Sequence, residues 1–513
     1  MAILPRGADL NIANGIREFA IATPGATAVI DGARTQTYAE LDDRSNRVAN
    51  VLLAAGLQPG DHVGFLSGNR LEYCEVAAGI AKAGMVMIPL NPKSPAPEID
   101  FIFDHSDARA LILDDSLAAG ATAAIESNEP TIVLSIGGNE AGAGYEAALE
   151  GARGTDPRIR VEETDPFAIA YTSGTTGNPK GVVISHRSRT LTFYATALEW
   201  GLGPGRRTIA VAPMYHGAGF AFAYAAVHTG GTVSMLRAFS PDGLLAKIER
   251  DRPHTVFLVP THAVLVRSLG EDTIRSFDVS ALEVIYFNAA PLPQSLKEWV
   301  HGMFPHVGLH ELYGSTEAAI VTNLRPADIM RKERCVGPAW FMTEVRVVDD
   351  DGNRIRPGEI GELFSRSPYL MNGYYKNPEA TVESTTEDGF FSAGDLAMVD
   401  DENYHYIVDR KKDLIISGGA NIYPRDVEEV LVRHPSVQDV AVIGLPSEKW
   451  GEQVTAVVVT RGDQPLPVDQ LDELCRSQLA RYKVPRRYET VDVLPRNAGM
   501  KVLKRDLRER FSS

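Results

Sequence analysis

An apolar run, Phe167-Ala-Ile-Ala170, leads straight into Tyr171-Thr-Ser-Gly-Thr-Thr-Gly-Asn-Pro-Lys-Gly181, and no other feature constrains the fold as much. The run reads as a buried strand, which makes the hydroxyl- and glycine-rich segment the loop leaving its end. Gly174, Gly177 and Gly181 let backbone N–H groups approach oxygens closely, Thr172, Ser173, Thr175 and Thr176 add hydroxyl donors, and Lys180 adds positive charge. Such a loop suits phosphate. The register is not that of a Walker loop, because counting from Gly174 the second-glycine position holds Pro179, and Gly181 follows the lysine. A flexible Ser/Thr/Gly linker is the competing reading, opposed by the single lysine behind a rigid proline just after a strand.

With 513 residues the chain exceeds one ordinary core, so two or more domains are expected. A net charge of −16 argues against a general nucleic-acid binder, and anionic substrates must be met by local positive charge. Cys74, Cys335 and Cys475 are few and far apart, which suggests neither a disulfide framework nor a C-x-x-C metal site and fits a reducing, cytoplasmic setting. The first 19 residues lack a signal-type apolar core, and the most apolar stretch, 217–227, is too short to span a bilayer, so a soluble protein without a membrane span is expected.

In chain order, Thr37-Tyr-Ala-Glu40 reads as a capping box opening a helix with Leu41, Val48, Leu52 and Ala55 on one face. Strands over 62–66, 86–90 and 110–113 alternate with helices over 71–82 and 98–103, which predicts a mostly parallel α/β layer. Residues 118–164 carry few periodic signals and read as a surface excursion. A strand over 182–184 and a helix over 188–198 follow the loop, and a second alternating set runs from 207 to 325. Short strands with turn signals over 336–409 predict a small β-rich subdomain. The last hundred residues read as a small α+β domain, with helices over 424–434 and 468–479 and strands over 437–444 and 453–460.

The strand ends of the second set carry the remaining motifs. These are Val211-Ala-Pro-Met-Tyr-His-Gly-Ala-Gly219, Asn288-Ala-Ala-Pro-Leu292 and Glu311-Leu-Tyr-Gly-Ser-Thr-Glu-Ala318. Ligands of open α/β sheets collect at such ends. Phe391-Ser-Ala-Gly-Asp-Leu396, the cationic Val408-Asp-Arg-Lys-Lys-Asp-Leu-Ile-Ile-Ser-Gly-Gly419 and the tail Leu494-Pro-Arg-Asn-Ala-Gly-Met-Lys-Val-Leu-Lys-Arg505 complete the set. Taken singly, each has a plain structural reading: a turn Glu, an Asx-turn Asp, a histidine beside a turn, a solvated cationic face. In order and spacing, together with the phosphate loop, they resemble the adenylate-forming superfamily over nearly the whole chain. That superfamily includes acyl- and aryl-CoA synthetases, luciferases and peptide-synthetase adenylation domains.

The resemblance implies a large N-terminal domain (1–411) of two α/β layers plus the β-rich subdomain, and a small mobile C-terminal domain (412–513) hinged at Lys412. It implies an acyl-CoA synthetase that uses ATP, Mg²⁺ and coenzyme A to activate a small-molecule carboxylic acid. The loop residues Thr172, Ser173, Gly174, Thr175, Thr176, Gly177 and Lys180 would hold the phosphates. Ala290 and Pro291 would lie against adenine, with Tyr313 and Gly314 on its other face. Thr316 would touch a phosphate oxygen, Glu317 would hold Mg²⁺, Asp395 would accept from both ribose hydroxyls, and Arg410 would contact ribose or phosphate. His216, Phe220 and Asn288 would line the acyl pocket, Asn288 standing where the family usually has glycine. Gly418 and Gly419 would border the pantetheine tunnel, and Lys501 would be the catalytic lysine bridging carboxylate and nucleotide. Relatives that activate amino acids usually carry an aspartate near His216. None is present here, which points to an acid without an α-amine, and Phe220, Phe222 and Tyr224 would supply apolar contact area that favours a fatty or aromatic acyl group. One departure is Met500, where glycine normally precedes the lysine; if that position has positive φ the strain is on the order of 1 kcal/mol. Lys504 is the rival lysine. A carrier-protein acceptor, a luciferase-like oxygenase and a nucleotide-binding homologue without turnover stay open, as does assembly into a homo-oligomer.

Overall fold

The computed structural model describes residues 10–172, 179–462, 465–496 and 502–512. Two eight-stranded sheets form the bulk of the chain. In the first, parallel strands His62–Leu66, Val86–Leu90, Ala108–Asp114 and Ile132–Ile136 are joined by Pro166–Thr172, whose antiparallel partner is Lys180–Ser185. The expected excursion over 118–164 is therefore corrected. Ile132-Val-Leu-Ser-Ile136 is an apolar run that completes the sheet, and Ala118–Asn128 is the helix before it. The small and polar residues around that run hid its periodicity.

The second sheet sets Gly308–Ser315, Val284–Phe287, Thr255–Leu258, Arg207–Ala210 and Thr232–Met235 side by side in parallel. Thr27–Asp31 adds to its far edge, pairing Val29 with Val233. Early chain thus closes the later layer, which ties the two sheets into one body. The helix Tyr38–Ala54 lies between them, and its predicted capping box is present: the Thr37 side chain accepts from the Glu40 N–H, and the Glu40 carboxylate accepts from the Thr37 N–H at 2.8 Å. Such a cap is worth about 1 kcal/mol. The buried Tyr38 hydroxyl sits 2.9 Å from the Val227 carbonyl and 2.7 Å from that of Gly231, fixing the helix to the second layer.

The β-rich subdomain is the four-stranded antiparallel sheet Glu344–Val348, Ile360–Arg366, Asp395–Val399 and His405–Arg410. It sends a short strand, Gly373–Tyr374, back to pair with Val182 and Val183 of the first sheet. The last sheet holds Ile415–Ser417, Ala420–Ile422, Val437–Ser447, Gly451–Thr460 and Arg487–Thr490, flanked by helices Pro424–Leu431, Val468–Gln478 and Lys504–Phe511. Among the described residues, no helix is long and apolar enough to cross a membrane.

Candidate active site

Four adjacent parallel strands of the second sheet end on one edge, and three of the loops leaving that edge carry sequence candidates. The loop after Arg207–Ala210 is held by Asn69, a buried residue the sequence did not single out. Its Oδ1 accepts from the Met214 N–H at 2.8 Å, and its amide donates to the carbonyl of Ala210 at 2.8 Å. This fixes His216, half-buried, as the N-cap residue of the helix Gly217–His228. Gly217 lies close to the next candidate: a β-carbon added there would lie 3.7 Å from the Thr316 methyl. Phe220 is elsewhere. It is 3% exposed, with its ring centroid 4.8 Å from Tyr224 and 5.5 Å from Phe167, so its side chain is spent on the core between the layers.

Asn288 is half-buried, and its Oδ1 accepts from the Ala289 N–H at 2.7 Å. Ala289 follows with φ +74°, a left-handed conformation that strains a non-glycine residue by on the order of 1 kcal/mol or more. Ala290 is half-buried and Pro291 exposed, at the end of this turn. The neighbouring loop needs Gly314, because a β-carbon there would meet the Ala319 carbonyl oxygen at 1.9 Å.

Three adenosine-side candidates form one network. The Tyr313 hydroxyl donates to Asp395 Oδ2 at 2.6 Å, and Arg410 Nε lies 3.3 Å from Asp395 Oδ1. Strand register is the cause, since Asp395 pairs directly with Arg410 across the antiparallel ladder of the subdomain. Burial first, and then the Asp395 charge, holds the Tyr313 phenol well above its ordinary range, so it stays a donor.

The phosphate-side candidates meet through a residue that sequence reading missed. Lys180 opens its strand opposite Thr172, and its Nζ stands 5.0 Å from the centroid of the Tyr374 ring. The Tyr374 hydroxyl donates to Glu317 Oε1 at 3.0 Å. Its strand neighbour Gly373 pairs with Val183, a contact across the whole subdomain for which the sequence has no local signal. Ser173, Gly174, Thr175, Thr176 and Gly177 lie outside the described residues. No trio of His, Cys, Asp or Glu among the described residues could hold a metal by itself. A single carboxylate such as Glu317 fits Mg²⁺ that arrives with nucleotide phosphates and keeps its waters.

Lys412 lies exposed in the short 3₁₀ turn Lys411–Asp413. Gly418 and Gly419, with φ +61° and +81°, make the two-residue turn of the hairpin that pairs Ser417 with Ala420, so their glycine requirement is met by backbone geometry alone. Lys501 and Met500 lie outside the described residues. Lys504 is drawn into an ion pair with Glu428 at 2.8 Å; burial pulls its pKa down, but Glu428, Asp409 and Asp413 outweigh that and raise it. That engagement removes it as a rival for chemistry in this arrangement.

A family model described as AMP-binding enzyme matches residues 16–375, and one described as AMP-binding enzyme C-terminal domain matches residues 426–501. The chain is 37% identical over 498 residues to a feruloyl-CoA synthase from an Amycolatopsis species, covering 95% of this chain and 96% of the relative. It is 35% identical over 501 residues to the fatty acid–[acyl-carrier-protein] ligase ScoC of Streptomyces coeruleorubidus, covering 95% and 94%. The ATP-bound crystal structure of MatB from Rhodopseudomonas palustris matches with a TM-score of 0.88 at 31% identity, over 98% of this chain and 99% of that one.

Proposed function

The chain belongs to the AMP-binding enzyme family, within the adenylate-forming acyl-CoA synthetase superfamily, and from that premise we propose the acid it activates and the residues that do so. It is an AMP-forming acid–thiol ligase that uses ATP, Mg²⁺ and CoA. The acid we assign is a compact one without an α-amine, aromatic or short. The helix that begins beside His216 carries Phe222 against Trp200, Phe257 and Tyr286, and Trp200 stacks on Tyr286 at 4.1 Å and on Trp340 at 5.6 Å. That packed aromatic cluster lies along the helix that begins beside His216, and it supports a compact acid over a long chain.

A carboxylate oxygen attacks the α-phosphorus of ATP, the bond to pyrophosphate breaks, and an acyl-adenylate remains. No general base is needed, because the carboxylate is already ionised. Both reactants are anionic, so positioning and charge neutralisation supply the rate. Asp395, oriented by Tyr313 and Arg410, takes the ribose hydroxyls; Thr316 and Lys180 meet phosphate oxygens; Glu317, oriented by Tyr374, would hold Mg²⁺, which spreads the developing phosphate charge. Lys501 bridges carboxylate and nucleotide. The domain from Lys412 onward then rotates, the CoA thiol attacks the acyl carbonyl beside the turn at Gly418 and Gly419, and AMP leaves.

The observation that carries the site assignment is the Tyr313–Asp395–Arg410 network, in which the subdomain's Asp395 and Arg410 meet Tyr313 on the strand that leads into Thr316 and Glu317. The test is AMP release from ATP with and without CoA across short, long-chain and aromatic acids, repeated with Lys501→Ala. CoA-dependent AMP and the matching thioester are expected with compact acids, and Lys501→Ala is expected to lose adenylate formation while still passing supplied adenylate to CoA. Preference for long chains would overturn the pocket size, and equal loss of both half-reactions would overturn the role of Lys501. The likeness to ScoC favours one second reading, transfer to a carrier-protein thiol, and the same assay with a pantetheinylated carrier in place of CoA decides it.

A further inference from the structure

Six lysines and arginines are buried among the described residues, and five of them meet a carboxylate at 3.0 Å or less: Arg70, Lys82, Lys247, Lys297 and Arg425. The sixth, Arg189, meets none. It is 6% exposed, its Nε is buried without a hydrogen-bond partner, and its nearest acceptor is the Gly217 carbonyl, 3.4 Å from Nη1. An arginine keeps its charge when buried, and a buried charge without a partner is costly to retain. Its Nε thus lacks an acceptor, and the Nε–Nη2 edge of a guanidinium is the face that takes a carboxylate side-on.

The location says what would fill that edge. Arg189 lies in the first turn of the helix His186–Trp200 and reaches across to the start of Gly217–His228. A β-carbon added to Gly217 would be 4.0 Å from Arg189 Nη2 and 3.7 Å from the Thr316 methyl, so guanidinium and threonine converge on the same bare α-carbon, directly after His216. The cation therefore stands between the loop of His216, a candidate for the acyl pocket, and Thr316, a candidate for phosphate.

We propose that Arg189 selects the acid: the substrate carries a second anionic group, a carboxylate close to the one that is activated, and Arg189 binds it through its Nε–Nη2 edge. This rests on the ligase reading above. A neutral acid of the same skeleton would leave the guanidinium unpaired, and so would bind worse. The reacting carboxylate is a poorer partner for it, because a permanent fork on that oxygen pair would blunt the nucleophile.

The test uses the full chain with skeleton-matched pairs, succinate against butanoate and phthalate against benzoate. It reads kcat/KM for AMP formation and, separately, acid binding by calorimetry. The wild type is expected to prefer a diacid, and Arg189→Met to collapse the diacid-to-monoacid ratio by about a hundredfold, as loss of a buried charge partner does. Arg189→Lys, with charge but no fork, should fall between, and ratios rather than rates keep a partly unfolded variant interpretable. A wild-type preference for both monoacids, or a ratio that Arg189→Met leaves unchanged, overturns the proposal. If no acid yields AMP, the ligase reading falls. Calorimetric binding of a diacid by the wild type but not by Arg189→Met would then still uphold the anion site, and its absence would end it.

Discussion

Among single residues, Tyr374 bears most directly on the chemistry, because one side chain serves two candidates: its ring faces Lys180 and its hydroxyl holds Glu317. Tyr374→Phe keeps the ring and removes only the hydroxyl, leaving Glu317 free to rotate. A hydrogen bond to a carboxylate is worth about 1.5 to 3 kcal/mol, of which solvent at this half-buried site returns part, so kcat/KM for adenylation should fall roughly tenfold. The apparent KM for Mg²⁺ should rise with it, while transfer of supplied adenylate to CoA continues. A variant with unchanged Mg²⁺ dependence would show that Tyr374 only packs. The residue was hidden in the sequence behind Asn372-Gly373, which signals a turn and says nothing of the strand it reaches. Thr316, Glu317 and Asp395 stand out in the sequence as candidates because each sits in a motif of fixed local spacing. Arg189 does not, since a helix-borne arginine reads as solvated until its surroundings are known.

At the scale of elements, the two layers are joined at Ile12, which two buried histidines hold from opposite sides. His186, first residue of its helix, accepts from the Ile12 N–H at Nδ1 (3.3 Å), and His228, last residue of its helix, lies with Nδ1 2.9 Å from the Ile12 carbonyl, so there it donates. Both are neutral imidazoles. Burial lowers His228 to about 4 and, with Arg17 nearby, His186 to about 3. Below about pH 6.5 the unfolded chain takes up protons that the folded chain refuses, so stability present at neutral pH is lost progressively toward pH 4. The loss is on the order of 1.4 kcal/mol per pH unit for each imidazole. The melting temperature should therefore fall steeply between pH 7 and pH 5, and His228→Gln, which keeps a donor for Ile12, should flatten the fall even if it lowers the neutral value. An unchanged slope would assign the acid sensitivity to other groups. Elements with strong local signals were read well: strands 62–66 and 86–90 and the capped helix after Thr37 stand where periodicity and capping put them. Sheet membership was beyond local reading. Nothing near Thr27–Asp31 announces a partner two hundred residues away, and pairing of that kind is set by the packing of the whole layer.

At the scale of the whole molecule, the arrangement of the last sheet against the body is held in part by Arg334. It bridges from the body to Asp426 at 2.9 Å and Glu429 at 2.7 Å on the helix Pro424–Leu431, and Asp426 is shared with Lys483 at 2.7 Å. Arg334 itself has φ +59°, so the backbone is held in a left-handed conformation to deliver that guanidinium. The domain rotation proposed above would gain from a clasp of this kind, made of exposed and half-buried charge: strong enough to favour one arrangement, weak enough to open. The Arg334 side chain is 40% exposed, so solvent screening leaves the clasp about 1 kcal/mol. Arg334→Ala should then raise the open population roughly fivefold, and trypsin should cut the exposed Lys411 and Lys412 of the turn correspondingly faster, with the body and the last domain recovered as intact fragments. In the wild type, salt near 1 M should produce part of the same acceleration by screening the pair, and should add little in Arg334→Ala. Equal cutting rates in both proteins at low salt would mean that apolar contact alone docks the domain, and that the ion pairs merely form once it is there.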